Sequence, residues 1–274
     1  MADVVRVALE QGQHVQVRVA GRGEPVLLIQ TALNAEELVP LAHEPSIADH
    51  HRVIDSRRRG YSSSSPARRP GSVARDAADC LAVLHALDAV PAHVVGVSYS
   101  AAVALALAAA APDAVATLAL AEPPPRHAAS AREFLAATEG LIDTHERHGA
   151  IAALDQFTRI FGDQGWLDER GQLPIDMVER FERDAETFFS ADVPALRDWQ
   201  FGPEQAVHIT QPVVYLTGAA THPWFVHVGQ WVAEMLPQVE THVIPGAGHD
   251  LPVTHSEQVA VILRDFYTRH PIRG

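Results

Sequence analysis

The stretch 93-HVVGVSYSAAVALALA-108 changes its periodicity half-way along. Ala92–Val97 reads as a strand buried on both faces. Ala101–Ala111 is an alanine-rich helical run stopped by Pro112. Between them lies Gly96-Val97-Ser98-Tyr99-Ser100. A serine at a sharp strand-to-helix turn projects its hydroxyl above the sheet, and the helix N-terminus offers backbone N–H groups to an anion. Strand and helix cross closely there, so the positions two residues to either side must be small. Gly96 and Ser100 meet that need, and Ala101 keeps the helix start slim. Alone, Gly-x-Ser-x-small fits an ordinary helix N-cap at Ser98 or Ser100 equally well. The strand before it and the helix after it give the pattern its weight.

Outward from this point the chain alternates strands and helices. Val4–Leu9 and His14–Val19 read as an antiparallel hairpin. Val26–Ile29, His51–Asp55, Val115–Ala121, Pro212–Thr217 and Glu240–Ile244 are further strand-like runs. Ser72–Leu87 and Ser256–Tyr267 are amphipathic helical patterns, the first with a serine cap. Such alternation predicts an α/β protein with a mostly parallel sheet and right-handed crossovers. Residues 126–210 interrupt it with helical periodicity, no convincing strand and many large aromatics. The expected organisation is a core of residues 1–125 and 211–274 with 126–210 inserted as a helical cap.

The 274 residues carry 34 acidic and 21 basic side chains, a formal charge of −13. Such a surface repels nucleic acid, and the run Arg57-Arg58-Arg59 is too short to reverse that; it reads as a loop with local salt bridges. A single cysteine, Cys80, leaves no internal disulfide and fits a reducing compartment. The N-terminus MADVVRVALE lacks the layout of a signal peptide, and no run matches the apolar length of a membrane span except the alanine tract, closed early by Asp113. The expectation is a cytoplasmic protein free of membranes and nucleic acid. Oligomeric state is not legible.

Four segments together resemble the α/β-hydrolase fold along nearly the whole chain: EPVLLIQTA, HRVIDSRRRGYSSSS, HVVGVSYSAAVALALA and ETHVIPGAGHD. The resemblance implies an eight-stranded, mostly parallel sheet flanked by helices, and a serine–histidine–acid triad without metal or other cofactor. Ser98 takes the nucleophile position. His249, in Pro245-Gly246-Ala247-Gly248-His249 after the last strand, takes that of the base.

In this family the acid usually follows the next-to-last strand as Gly-x-x-Asp. Here the segment reads Gly218-Ala219-Ala220-Thr221, and no Asp or Glu occurs between Glu204 and Glu234. Glu122 ends the preceding strand, and strand C-termini converge on one crevice in such sheets. Some α/β hydrolases, certain lactonases among them, place a glutamate there, so Glu122 is the expected acid; the alternative is a solvated or arginine-paired loop glutamate.

Where relatives commonly show His-Gly, this chain has Gln30-Thr31-Ala32-Leu33. By position, the Ala32 and Tyr99 backbone N–H groups would hold the oxyanion. Gln30 and Thr31 either add donors toward substrate or only pack. β-Branched Thr31 resists positive φ, so the loop takes another path or needs no left-handed residue there. Trp199, Phe201, Trp224 and His222 are candidate pocket residues, implying a small, apolar, uncharged ester or lactone as partner. The alternatives are carbon–carbon bond hydrolysis or perhydrolysis on the same triad, or a non-catalytic receptor that keeps the fold and pocket.

Overall fold

The computed structural model describes residues 2–162 and 164–272. Its eight strands are β1 (Asp3–Ala8), β2 (His14–Ala20), β3 (Glu24–Ile29), β4 (His51–Ser56), β5 (Ala92–Val97), β6 (Val115–Ala121), β7 (Val213–Gly218) and β8 (Val239–Ile244). They form one sheet in the order β1-β2-β4-β3-β5-β6-β7-β8. β1 and β2 pair antiparallel, β2 runs antiparallel to β4, and the pairs from β4 to β8 are parallel.

Alternation along each strand sends neighbouring residues into different layers. Leu27, Ile29, Val94, Leu118, Leu120, Val213 and Tyr215 face one layer, covered by α1 (Val73–Ala86), α2 (Tyr99–Ala110) and a later helix, Val228–Met235. Val26, Leu28, Val95, Val97, Ala119, Ala121, Val214 and Leu216 face the other, covered chiefly by the C-terminal helix Ser256–Arg269. Both faces are apolar because helices cover both, as the parallel pairing demands. No helix is long and apolar enough to cross a membrane among the described residues.

Between β6 and β7 the described residues contain no strand. They form α3 (Ala131–His148), α4 (Ala150–Phe161), α5 (Ile175–Thr187) and shorter turns, with a π-helical turn at Phe188–Asp192. This insertion has its own apolar cluster, centred on Leu141, Leu154, Trp166, Phe188 and Phe189, and Leu33 of the loop after β3 joins it. From Ala195 onward the chain packs into the main core instead. The three arginines that follow β4 are buried, each facing a carboxylate: Arg57 with Asp55, Arg58 with Asp76 and Asp192, Arg59 with Asp79.

The helix after β5 begins at Tyr99, two residues ahead of the alanine run, so Ser98 is the turn itself. That turn is tight. A Cβ on Gly96 would collide with the Ser100 carbonyl oxygen and lie 2.7 Å from Cα of Ala101. Gly96→Ala should therefore destabilise the protein by about 1–3 kcal/mol, the usual range for overpacking. A urea-unfolding midpoint equal to that of the parent would contradict this.

Candidate active site

Ser98 sits at φ 50° and ψ −120°, a conformation an L-residue adopts only where its surroundings enforce it. Its N–H donates to the Ala121 carbonyl at 2.9 Å, tying the turn to the end of β6. Ser100, the small residue two positions past Ser98, accepts from Val97 N–H at 2.8 Å and donates to the Val97 carbonyl at 3.0 Å. A hydroxyl thus closes the turn that a glycine would leave open. Ser98 is half-buried between fully buried Val97 and Tyr99, and its hydroxyl has no hydrogen-bond partner among the described residues.

One residue past Ala121, Glu122 takes φ 43° and is fully buried. Four donors converge on it. Oε1 accepts from the Thr217 hydroxyl at 2.8 Å and the Gly218 N–H at 3.0 Å. Oε2 accepts from the Thr221 hydroxyl at 2.7 Å and from His249 Nδ1 at 2.6 Å. Burial by itself raises the Glu122 pKa, but the hydrogen bond and charge of His249, then Thr221 and Gly218, outweigh it and hold the carboxyl below its ordinary value. An ionised carboxylate can only accept, so Nδ1 carries the hydrogen and Nε2 is the ring's remaining basic nitrogen.

The loop after β8 presents His249 because the loop after β7 grips it. Ala219 N–H donates to the Ile244 carbonyl and Ala220 N–H to the Ala247 carbonyl, both at 2.9 Å. Gly218 permits the approach: a Cβ there would lie 2.6 Å from the Gly248 carbonyl oxygen and clash with that of Ala247. Phe225 stacks on the imidazole at 3.9 Å between centroids and 11° between planes. Phe161 lies nearly parallel to it at 6.3 Å.

Of the aromatic pocket candidates, Trp224 and His222 come to this place, both contacting Phe161, at 5.6 and 5.0 Å. Burial, then the charge of His249, lowers the His222 pKa. Trp199 and Phe201 are buried in the main core, where Trp231, on the helix Val228–Met235, offers them an apolar surface and His127 meets the ring of Trp199.

The loop after β3 resolves its own ambiguity by taking another path. Leu33, not Thr31, adopts positive φ, at 65°. The Thr31 hydroxyl donates to the Val97 carbonyl at 2.9 Å, and the Gln30 amide is divided between the Thr31 carbonyl and the Arg58 N–H. Both side chains are buried braces, their polar groups engaged within the protein. Neither the Ala32 nor the Tyr99 backbone N–H has an acceptor among the described residues. No cluster of three or more His, Cys, Asp or Glu side chains suited to a metal occurs among the described residues.

The family described as "Alpha/beta hydrolase family" matches residues 35–262. The chain belongs to the α/β-hydrolase family. A search of the curated proteins finds no match. Among solved structures, an esterase from Exiguobacterium antarcticum superposes with a TM-score of 0.79 at 17% identity, covering 96% of this chain and 99% of that one. A thermophilic esterase from Thermogutta terrifontis gives 0.76 at 19%, covering 98% and 99%. The enol-lactonase from Burkholderia xenovorans LB400 gives 0.75 at 18%, covering 94% and 98%. At these identities the likeness is one of α/β-hydrolase fold.

Sequence reasoning missed Thr217, Thr221, Phe161 and Phe225. Thr221 was the accessible one, since a hydroxyl in the Gly-x-x-Asp position can still donate to a carboxylate arriving from elsewhere. Because the folded pKa of Glu122 is depressed, its ionisation stabilises the fold above the unfolded value of about 4.3, and this contribution fades as pH falls through the lower folded value. Glu122→Gln should therefore flatten the loss of stability as pH falls below about 5 in urea titrations. An unchanged acid-side slope would contradict it.

Proposed function

We propose that this α/β hydrolase is a serine hydrolase of carboxylic esters or lactones, working through Ser98, His249 and Glu122. The observation that carries the reading is the 2.6 Å contact between a buried, ionised Glu122 and Nδ1 of His249, on the same sheet rim as the strained Ser98 turn. Ser98 Oγ would attack the acyl carbon while Nε2 of His249 takes its proton. Glu122 would hold the tautomer and offset the imidazolium charge. The unpartnered N–H groups of Ala32 and Tyr99 would receive the negative oxygen of the tetrahedral intermediate. His249 would return the proton to the leaving alkoxide, giving an acyl-enzyme. A water deprotonated by the same nitrogen would then release the acid. The nucleophile–base contact commonly tightens only with substrate in place, so an unbonded Ser98 hydroxyl accords with this role.

The insertion between β6 and β7 would act as a cap. Phe161 from α4 lies beside His249, and Ser130 donates to the Trp224 carbonyl at 2.6 Å, fastening the start of α3 to the loop after β7. Phe161, Trp224 and Phe225 offer apolar surface next to the base, which favours an uncharged, apolar group on the ester or lactone.

A fluorophosphonate probe should label the native protein and fail to label Ser98→Ala; an unlabelled native protein would point to a binding protein of the same fold. On a panel of p-nitrophenyl esters and lactones, Glu122→Gln should lower kcat by about 10³-fold or more, because the imidazole loses its orienting anion. Near-parental turnover would reject Glu122 as the acid.

A further inference from the structure

The sequence run after β4 places Arg58, buried, against the loop after β3 and the ring of Tyr99. Its guanidinium has five N–H donors, and the structure uses each of them. Nε donates to the Gln30 carbonyl at 3.0 Å, and one Nη2 hydrogen to the Thr31 carbonyl at 3.1 Å. Nη1 donates to Asp76 and Asp192, both at 2.9 Å, and Nη2 again to Asp192 at 2.6 Å. The guanidinium also lies 4.1 Å from the ring centre of Tyr99, whose hydroxyl donates to Asp76 at 2.8 Å.

The Thr31 carbonyl and the Ala32 N–H belong to one planar trans peptide, in which C=O and N–H point in opposite directions. Donors from Arg58 and from the Gln30 amide on that oxygen therefore fix where the Ala32 N–H points, and they polarise it as a donor. The next residue is fixed from the same network: Leu33 N–H donates to the Tyr61 hydroxyl at 3.1 Å, which donates to Asp192 at 2.6 Å. Asp192 sits on the π-helical turn of the insertion.

We infer that Arg58, anchored by Asp192 of the insertion, is a positioning residue that aims the Ala32 N–H at the reacting oxygen. The inference rests on the hydrolase reading above. It also gives the insertion a part in catalysis besides covering the substrate, because the anchor of the oxyanion loop belongs to it.

Arg58→Lys is the decisive variant. An ammonium retains charge for Asp192 but has three donors and no planar fork, so it cannot hold two carbonyls and two carboxylates together. With p-nitrophenyl butyrate, Arg58→Lys should keep KM within about threefold while kcat falls about 10- to 100-fold, the pattern of a transition-state interaction weakened. Affinity for a boronic acid, which forms a tetrahedral adduct on the serine, should fall by a similar factor. Near-ultraviolet circular dichroism and thermal melting establish that the variant is folded. If it is not, the double variant Arg58→Met/Asp192→Asn, which removes both buried charges together, is measured in the same way. Unchanged kcat, a kcat loss with unchanged boronate affinity, or failure of both variants to fold would each overturn the positioning role. A native protein that neither hydrolyses the ester nor reacts with fluorophosphonate would instead overturn the hydrolase reading, and this inference with it.

Discussion

A carboxylate removed from water is tolerable only if the protein supplies what water supplied, and Glu122 is where this protein meets that demand. Its four donors come from three places in the chain: the end of β7, the turn that follows it, and the loop after β8. Each donor has a second consequence. Thr217 and Gly218 register the end of β7 against β6, Thr221 fixes the turn, and His249 is held by its Nδ1 with Nε2 left over. Charge compensation of one buried group thereby orders the rim of the sheet. Taking away one donor would leave the buried carboxylate short of a hydrogen bond, and an unsatisfied buried polar group typically costs about 1–3 kcal/mol, more when it is charged.

A second buried charge organises the other side of the nucleophile. Arg58 is compensated by Asp76 from α1 and Asp192 from the insertion, and its remaining donors go to backbone carbonyls of the loop after β3. The two networks meet at the strand-to-helix turn. Glu122 adjoins Ala121, whose carbonyl accepts from Ser98, while Arg58 lies against the ring of Tyr99. Ser98 is thus bracketed by a hydrogen-bonded carboxylate on one side and, beyond the ring of Tyr99, by the Arg58 ion cluster on the other.

The sheet was legible because burial on both faces writes itself as continuous apolar runs, and the elbow because close crossing restricts residue size. The families of contact that remained hidden are those in which distant polar groups meet. Nothing local in Asp192 distinguishes it from other acidic residues of a helical segment; only the π-helical turn turns it toward Arg58. Trp199 and Phe201 carry the composition of a pocket, yet composition does not say which neighbours an aromatic meets, and here both pack against Trp231. Thr31 was a visible departure at the oxyanion loop, but its resolution lay in the next turn of the chain, where Leu33 takes the left-handed conformation instead. The proposed acid, Glu122, was reached by elimination, because Gly218–Thr221 contains no carboxylate.

Among the described residues, six positions other than glycine have positive φ, and Leu33, Ser98 and Glu122 are three of them. Each such residue costs on the order of 1–3 kcal/mol against a relaxed backbone. What holds them is remote in sequence: Leu33 by Tyr61 and by its side chain in the cluster of the insertion, Ser98 by the end of β6, Glu122 by β7 and the loop after β8. None of the three could keep its conformation in an isolated fragment, because the compensating contacts exist only once the sheet has closed and the insertion has packed. The site geometry is therefore a property of the completed fold and not of the Gly-x-Ser-x-Ser motif, which explains how Gln-Thr can stand where relatives have His-Gly: the loop is shaped by what grips it from outside.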